Sequence, residues 1–249
     1  MQYIKHFNQQ SDKYLSYRPG YPEPLFDYLA SLVDEEVYVW DCGTGNGQAA
    51  FALARRFQRV LATDINFLPL VLASQRENLH YLCCAAEKSP ILAESMGLVT
   101  IAQALHWFNF DDFYQEVRRV TKPMSTIAAW CYALVTINAH LDPIINKLYT
   151  DILGDQYWPK ERRYIDEHYQ TIPFPFKKLA VPQFTIEKKL DFASFVGYLS
   201  TWSAVKEYQQ RRHKNPIDII FNDLQAAWGN PKSEHVMRWP VHLLVGVIE

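Results

Sequence analysis

Asp41-Cys42-Gly43-Thr44-Gly45-Asn46-Gly47 is the stretch on which the reading of this chain turns. It ends an apolar run, 37–42, that reads as a strand. It opens onto residues 48–57, which are rich in helix formers and place Phe51, Ala54 and Phe57 at three-residue spacing. Glycine permits the positive φ of a tight turn and lets a ligand approach the backbone with no Cβ in the way. Strand, glycine turn and helix in that order expose backbone N–H groups where a carboxylate or phosphate can sit. The dinucleotide fingerprint G-x-G-x-x-G requires glycine at position 48, where Gln48 stands, so the spacing disfavours an NAD site. Asp64, at the end of the next apolar run and seventeen residues past Gly47, is placed to accept hydrogen bonds from a ribose diol.

Working outward, the pattern predicts a helix over 67–77, strands over 79–85 and 97–102, and an amphipathic helix over 111–121 with Phe113, Val117 and Val120 on one side. A fifth strand is expected over 125–133. Short links between these elements indicate a parallel, doubly wound α/β sheet. After Ala133 the rhythm changes. A helix is expected over 140–153, and residues 157–183, aromatic, charged and punctuated by Pro159, Pro173, Pro175 and Pro182, look like an inserted lid. A half-exposed strand over 184–190, helices over 193–210 and 217–228 and a strand over 236–248 complete the chain, with Pro240 confining the last strand to an edge or a bulge. The expected organisation is a single domain: N-terminal cap 1–35, ligand-binding core 36–133, lid 134–183 and C-terminal elements 184–249.

The 249 residues are 49% apolar and 21% charged, enough to bury a large core. A net charge of −2 provides no overall positive field toward a nucleic acid. Cys42, Cys83, Cys84 and Cys131 show no Cys-x-x-Cys spacing, so neither a metal centre nor a disulfide framework is expected. No apolar run reaches the length of a membrane span, which leads to the expectation of a cytoplasmic protein, monomeric or homodimeric, with no membrane or nucleic-acid partner. The 36 aromatic residues are spread along the chain. Trp40 and Trp130 are expected in the core, and Tyr14, Trp107 and Trp202 are candidates to wall a small pocket.

The glycine loop, Ala62-Thr63-Asp64, Ala86-Glu87, the segment 102–108 (Ala-Gln-Ala-Leu-His-Trp-Phe), the front motif Arg18-Pro19-Gly20-Tyr21-Pro22 and the late Thr201-Trp202-Ser203-Ala204 together resemble the class I S-adenosylmethionine-dependent methyltransferases. Within that class the chain is similar to the methyltransferase type 11, trans-aconitate methyltransferase-like branch. The resemblance implies a Rossmann-like fold of seven strands with an N-terminal helical cap, and S-adenosylmethionine as cofactor. It implies that Asp41, Gly43, Gly45 and Gly47 hold the methionine part, Asp64 the ribose, and Ile65 and Ala86-Glu87 the adenine. Gln103, Tyr14 and Arg18 join the cofactor set by the same resemblance, with Arg18 reaching a carboxylate.

Methyl transfer from a sulfonium asks a protein mainly to align the acceptor and exclude water, and a carboxylate acceptor needs no base because it is already ionised at neutral pH. Gln103 to Phe108 follow strand four at the carboxyl edge of the sheet, where open α/β folds bind ligands. His106 is the candidate base or acceptor-orienting group, or else a histidine with a structural hydrogen bond. Trp107 and Trp202 are candidate acceptor contacts or core residues. The expected reaction is methylation of a small molecule, with a carboxylate oxygen as the preferred target. A non-catalytic cofactor-binding protein and, more distantly, an NAD oxidoreductase are the alternatives.

Overall fold

The computed structural model describes residues 17–249. Tyr14 lies outside the described residues. The sequence alternates as expected: α1 (Glu23–Ser31), β1 (Tyr38–Cys42), α2 (Gln48–Leu53), β2 (Arg59–Asp64), α3 (Phe67–Val71), β3 (Leu79–Cys83), β4 (Met96–Ala102), α4 (Phe110–Val120) and β5 (Thr121–Tyr132). There follow α5 (Asp142–Asn146), a π-helical stretch (Lys147–Leu153), α6 (Gly154–Tyr157), α7 (Arg162–Asp166), β6 (Lys177–Lys178), β7 (Phe184–Leu190), α8 (Phe192–Ser200), α9 (Ser203–Arg212), α10 (Phe221–Trp228) and β8 (His235–Val247).

The sheet runs β3-β2-β1-β4-β5-β8-β6, with β7 also paired to β8. β1 to β5 are parallel, while β8 is antiparallel to β5, β6 and β7. β6 pairs near Val247 and β7 between His235 and Val241. The two short segments share the edge position, so eight strand segments fill the seven positions expected for a Rossmann-like methyltransferase sheet.

β8 corrects the expectation drawn from Pro240, because it is interior, between β5 and the β6/β7 edge. Within an antiparallel strand the N and O of one residue face the same neighbour. The Pro240 carbonyl accepts from Ala133 N–H, one residue beyond the end of β5. Its missing donor therefore falls where β5 runs out, and only a terminal ladder bond is lost.

Side chains from the two faces of the sheet form two cores. One holds Phe26, Trp130, Tyr198 and Trp239, and the other Trp40, Phe113, Val117 and Tyr169. α4 shows why its segment folds as it does. The Asn109 side chain caps its start, Asp111 and Asp112 lie in the first turn and Arg118 and Arg119 in the last, and Phe113, Val117 and Val120 are fully buried. The long helix expected over 193–210 is instead two, α8 and α9, broken at Thr201-Trp202, where Trp202 adopts extended backbone. That break directs Trp202 and the Thr201 hydroxyl toward the end of β5.

Candidate active site

Three positive φ angles, 69° at Gly43, 57° at Gly45 and 78° at Gly47, form the turn between β1 and α2. A Cβ on Gly43 would lie 2.6 Å from that of Ala104, and one on Gly47 would strike the Tyr81 ring. Nothing lies within 4 Å of the place where a Gly45 Cβ would be. The turn is thus pressed against its own neighbours on two sides and open on the third, as a cradle for a ligand requires.

Asp41 does not face that open side. It is fully buried, and its two oxygens accept from Thr44 Oγ1 at 2.6 Å and Thr100 Oγ1 at 2.7 Å. Its carboxylate ties the turn to β4 from beneath. Burial raises its pKa to about 6, and the two threonine hydroxyls hold it from rising further.

Asp64 is half-buried at the end of β2. Its Oδ2 accepts from Gly45 N–H at 2.8 Å, and its Oδ1 accepts from the Asn66 backbone N–H at 2.8 Å and side-chain amide at 3.1 Å. A carboxylate has about four lone-pair sites, so room for one further donor, such as a single ribose hydroxyl, remains. Ile65 beside it is 56% exposed and offers an apolar surface for a flat ring. Ala86 is buried, whereas Glu87 accepts from the Asn109 N–H at the start of α4. Glu87 thereby secures the loop after β3 to the helix.

Gln103 ends β4 in a left-handed conformation, φ 56°. Its N–H bonds Trp130 O and its Oε1 accepts from Tyr132 N–H, so it fastens the carboxyl ends of β4 and β5 together. Beyond it, His106 is buried, with Nδ1 2.8 Å from the Tyr169 hydroxyl and its ring 4.8 Å from that of Trp107. Burial foremost, and the charge of Arg162 second, lower the His106 pKa to about 3. The near-neutral pKa that recommended His106 as a base is not retained, and the ring is neutral at physiological pH.

A small cavity of about 50 Å³ opens at the end of β5, lined among others by Arg18, Tyr132, Trp158, Arg162, Tyr198 and Trp202. Trp202 lines this cavity, while Trp107 packs on His106 outside the cavity lining. Arg18 donates to the Tyr132 hydroxyl at 2.7 Å and to Thr201 Oγ1 at 3.1 Å. Arg162, Trp158 and Tyr169 are site residues that sequence reasoning missed. The available signal was the mixture of aromatic and arginine residues within 157–164. No group of three or more potential metal ligands occurs among the described residues, and no helix among them is long and apolar enough to cross a membrane.

The family model described as a methyltransferase domain matches residues 40–129. A Dictyostelium discoideum protein named as a methyltransferase is 30% identical over 245 residues, covering 96% of this chain and 93% of its own. A solved structure designated a type II methyltransferase, from Anaeromyxobacter dehalogenans, superposes with a TM-score of 0.86 at 36% identity and covers 92% of this chain and 97% of that one. A malonyl-[acyl-carrier protein] O-methyltransferase of Marinomonas is 35% identical over 130 residues, about half of each chain. The fit between the glycine cradle and Asp64 on one side and these matches on the other leads to one assignment: the chain belongs to the S-adenosylmethionine-dependent methyltransferases.

Proposed function

We propose that the enzyme methylates a carboxylate oxygen of a small molecule held at the carboxyl ends of β4 and β5. The observation that carries this reading is the cavity containing Arg18 and Arg162 within aromatic walls, with no acidic side chain among its lining residues. A site of that kind favours an anion, and a guanidinium is the side chain best shaped to take a carboxylate.

Bound S-adenosylmethionine supplies an electrophilic methyl on a sulfonium. Asp64 holds its ribose, the glycine turn its methionine part, and Ile65 covers the adenine, while Gln103 sets the spacing between the turn and the cavity. Positioning of this kind can supply several kcal/mol of barrier lowering, up to about 7–11 where alignment is complete. Tyr169 orients the His106 ring, and the neutral imidazole then aligns an acceptor by hydrogen bonding. A histidine with a pKa near 3 is a poor proton acceptor at neutral pH. That suits an acceptor that arrives already deprotonated. The name of the Marinomonas relative, an O-methyltransferase, supports oxygen as the target.

The test is incubation with S-adenosylmethionine and a panel of small carboxylic acids, amines, thiols and phenols, with products read by mass spectrometry. Methyl esters are expected. Methylated amines or thiols with no ester would overturn the reading.

A further inference from the structure

Tyr169 reaches His106 from a backbone that a large side chain rarely adopts. His168 and Tyr169, at φ 56° and 61°, are the one adjacent pair of left-handed non-glycine residues among the described residues. Histidine tolerates that region, but for a residue as bulky as tyrosine it is an outlier, and such strain persists only where the surroundings fix it. Tyr169 is fully buried, its N–H bonds Tyr164 O at 2.7 Å, and its hydroxyl lies 2.8 Å from His106 Nδ1. The remaining constraint comes from β8. The exposed His168 ring lies on that of His242, the centroids 3.8 Å apart and the planes 12° from parallel, the closest ring pair among the described residues.

His242 is placed to serve as a fixed post for that ring. It stands opposite Cys131 on β5, within the ladder that joins β8 to β5, and Cys131 and Tyr169 share one core. Its Nε2 is buried and has no hydrogen-bond partner among the described residues. Buried polar atoms normally find one, so what this ring contributes is the contact of its face and not a bond through Nε2. Burial foremost, and the nearby His168 second, lower the His242 pKa, which keeps the ring neutral in the stack at neutral pH. We propose that His168 and His242 are positioning residues for the reaction: their stacked rings hold residues 168 and 169 left-handed, so that the Tyr169 hydroxyl meets His106 and fixes the imidazole that aligns the acceptor. The proposal rests on the acceptor-aligning role of His106, but its test follows the state of that ring and not the atom that is methylated.

The full chain is isotopically labelled at its histidine ring nitrogens for NMR, and His106 is assigned by the signals that His106→Gln removes. At neutral pH the wild-type ring is expected in a single tautomer, its two nitrogen signals widely separated. His242→Ala should bring them together by at least half of that separation. His242→Phe, which restores a flat ring for His168 to lie on, should return them to the wild-type positions. S-adenosylhomocysteine affinity should change less than twofold in both variants, since the glycine turn and Asp64 are untouched. Unchanged His106 signals in His242→Ala, failure of His242→Phe to restore them, or cofactor affinity lost in step with them overturns the proposal.

A second variant serves should His242→Ala fail to fold. His168→Asn removes the ring from the exposed end of the stack, and asparagine accepts the left-handed backbone, so strain at 168 is not what changes. The His106 signals are expected to converge here too, and unchanged signals overturn the proposal. Failure of the carboxylate-methylation reading appears separately, as methyl groups on nitrogen or sulfur with no ester among the products.

Discussion

Gly43 and Asp64 carry the most direct tests of the glycine turn. Gly43→Ala places a Cβ at φ 69°, 2.6 Å from the Ala104 Cβ, so either the turn or the loop after β4 must move. A non-glycine residue held at such an angle costs roughly 1–3 kcal/mol, and urea unfolding should show a loss of about that size together with weakened cofactor binding. Asp64→Ala removes both the proposed ribose acceptor and the partner of Gly45 N–H. Titration with S-adenosylmethionine is expected to show at least a tenfold loss of affinity, roughly 1.4 kcal/mol or more, and unchanged affinity would remove Asp64 from the cofactor set. His106 makes a pH prediction of definite sign. Its folded pKa, about 3, lies below the 6.5 of an unperturbed histidine, so below pH 6.5 the unfolded chain takes up a proton that the folded chain refuses. His106→Gln should therefore flatten the loss of stability between pH 6.5 and 3, as measured by denaturant midpoints across that window. In the wild type, an NMR titration should show no protonation of the ring between pH 5 and 8.

α4 is fastened to the loop before β4 by one buried carboxylate. Glu116 is 7% exposed and accepts from the Ser89 N–H and hydroxyl and from Arg119. Burial alone would raise its pKa, but the Arg119 and Ser89 hydrogen bonds outweigh that and hold it at about 2. A depressed carboxyl stabilises the fold fully above its unfolded pKa, near 4.5, and loses that contribution as pH falls toward 2. Glu116→Gln should cost about 1–2 kcal/mol at pH 7, allowing for the exposure of Arg119, and the difference from wild type should vanish near pH 2. Chemical denaturation at pH 7 and pH 2.5 measures both ends. Much at this level was readable in the sequence, because strand periods and the Phe113-Val117-Val120 stripe are local signals. β7 spans 184–190 as expected, and β1 and α4 begin and end within a residue of expectation. The helix expected over 67–77 stops at Val71, and that over 193–210 breaks at Thr201-Trp202. Arg162 and Tyr169 escaped because each comes from a segment more than fifty residues away from His106, a distance that no local pattern encodes.

The molecule as a whole has one sheet serving two cores, and that arrangement predicts how it unfolds. Trp130 projects into the core with Phe26 and Tyr21, while its β5 neighbours Ala129 and Cys131 belong to the opposite core. β8 ties the C-terminal elements to β5 through seven paired positions, and β7 pairs along its other half. The C-terminal residues cannot leave without exposing Trp239, fully buried and bonded to the Tyr198 hydroxyl, together with the ends of β5. The 134–183 segment is similarly committed, since Ile165 and Tyr169 lie in one core and Leu148 and Tyr157 in the other. Loss of either core would leave the central strands bare on one face, at a cost of about 25 cal/mol for each Å² of apolar surface exposed. Calorimetry is therefore expected to show a single transition, with far- and near-ultraviolet dichroism melting together. Trp130→Phe, on one face, and Phe113→Leu, on the other, should each lower that one transition without splitting it. A second peak, or a Phe113→Leu effect confined to part of the signal, would show instead that the core and the C-terminal elements unfold as separate units.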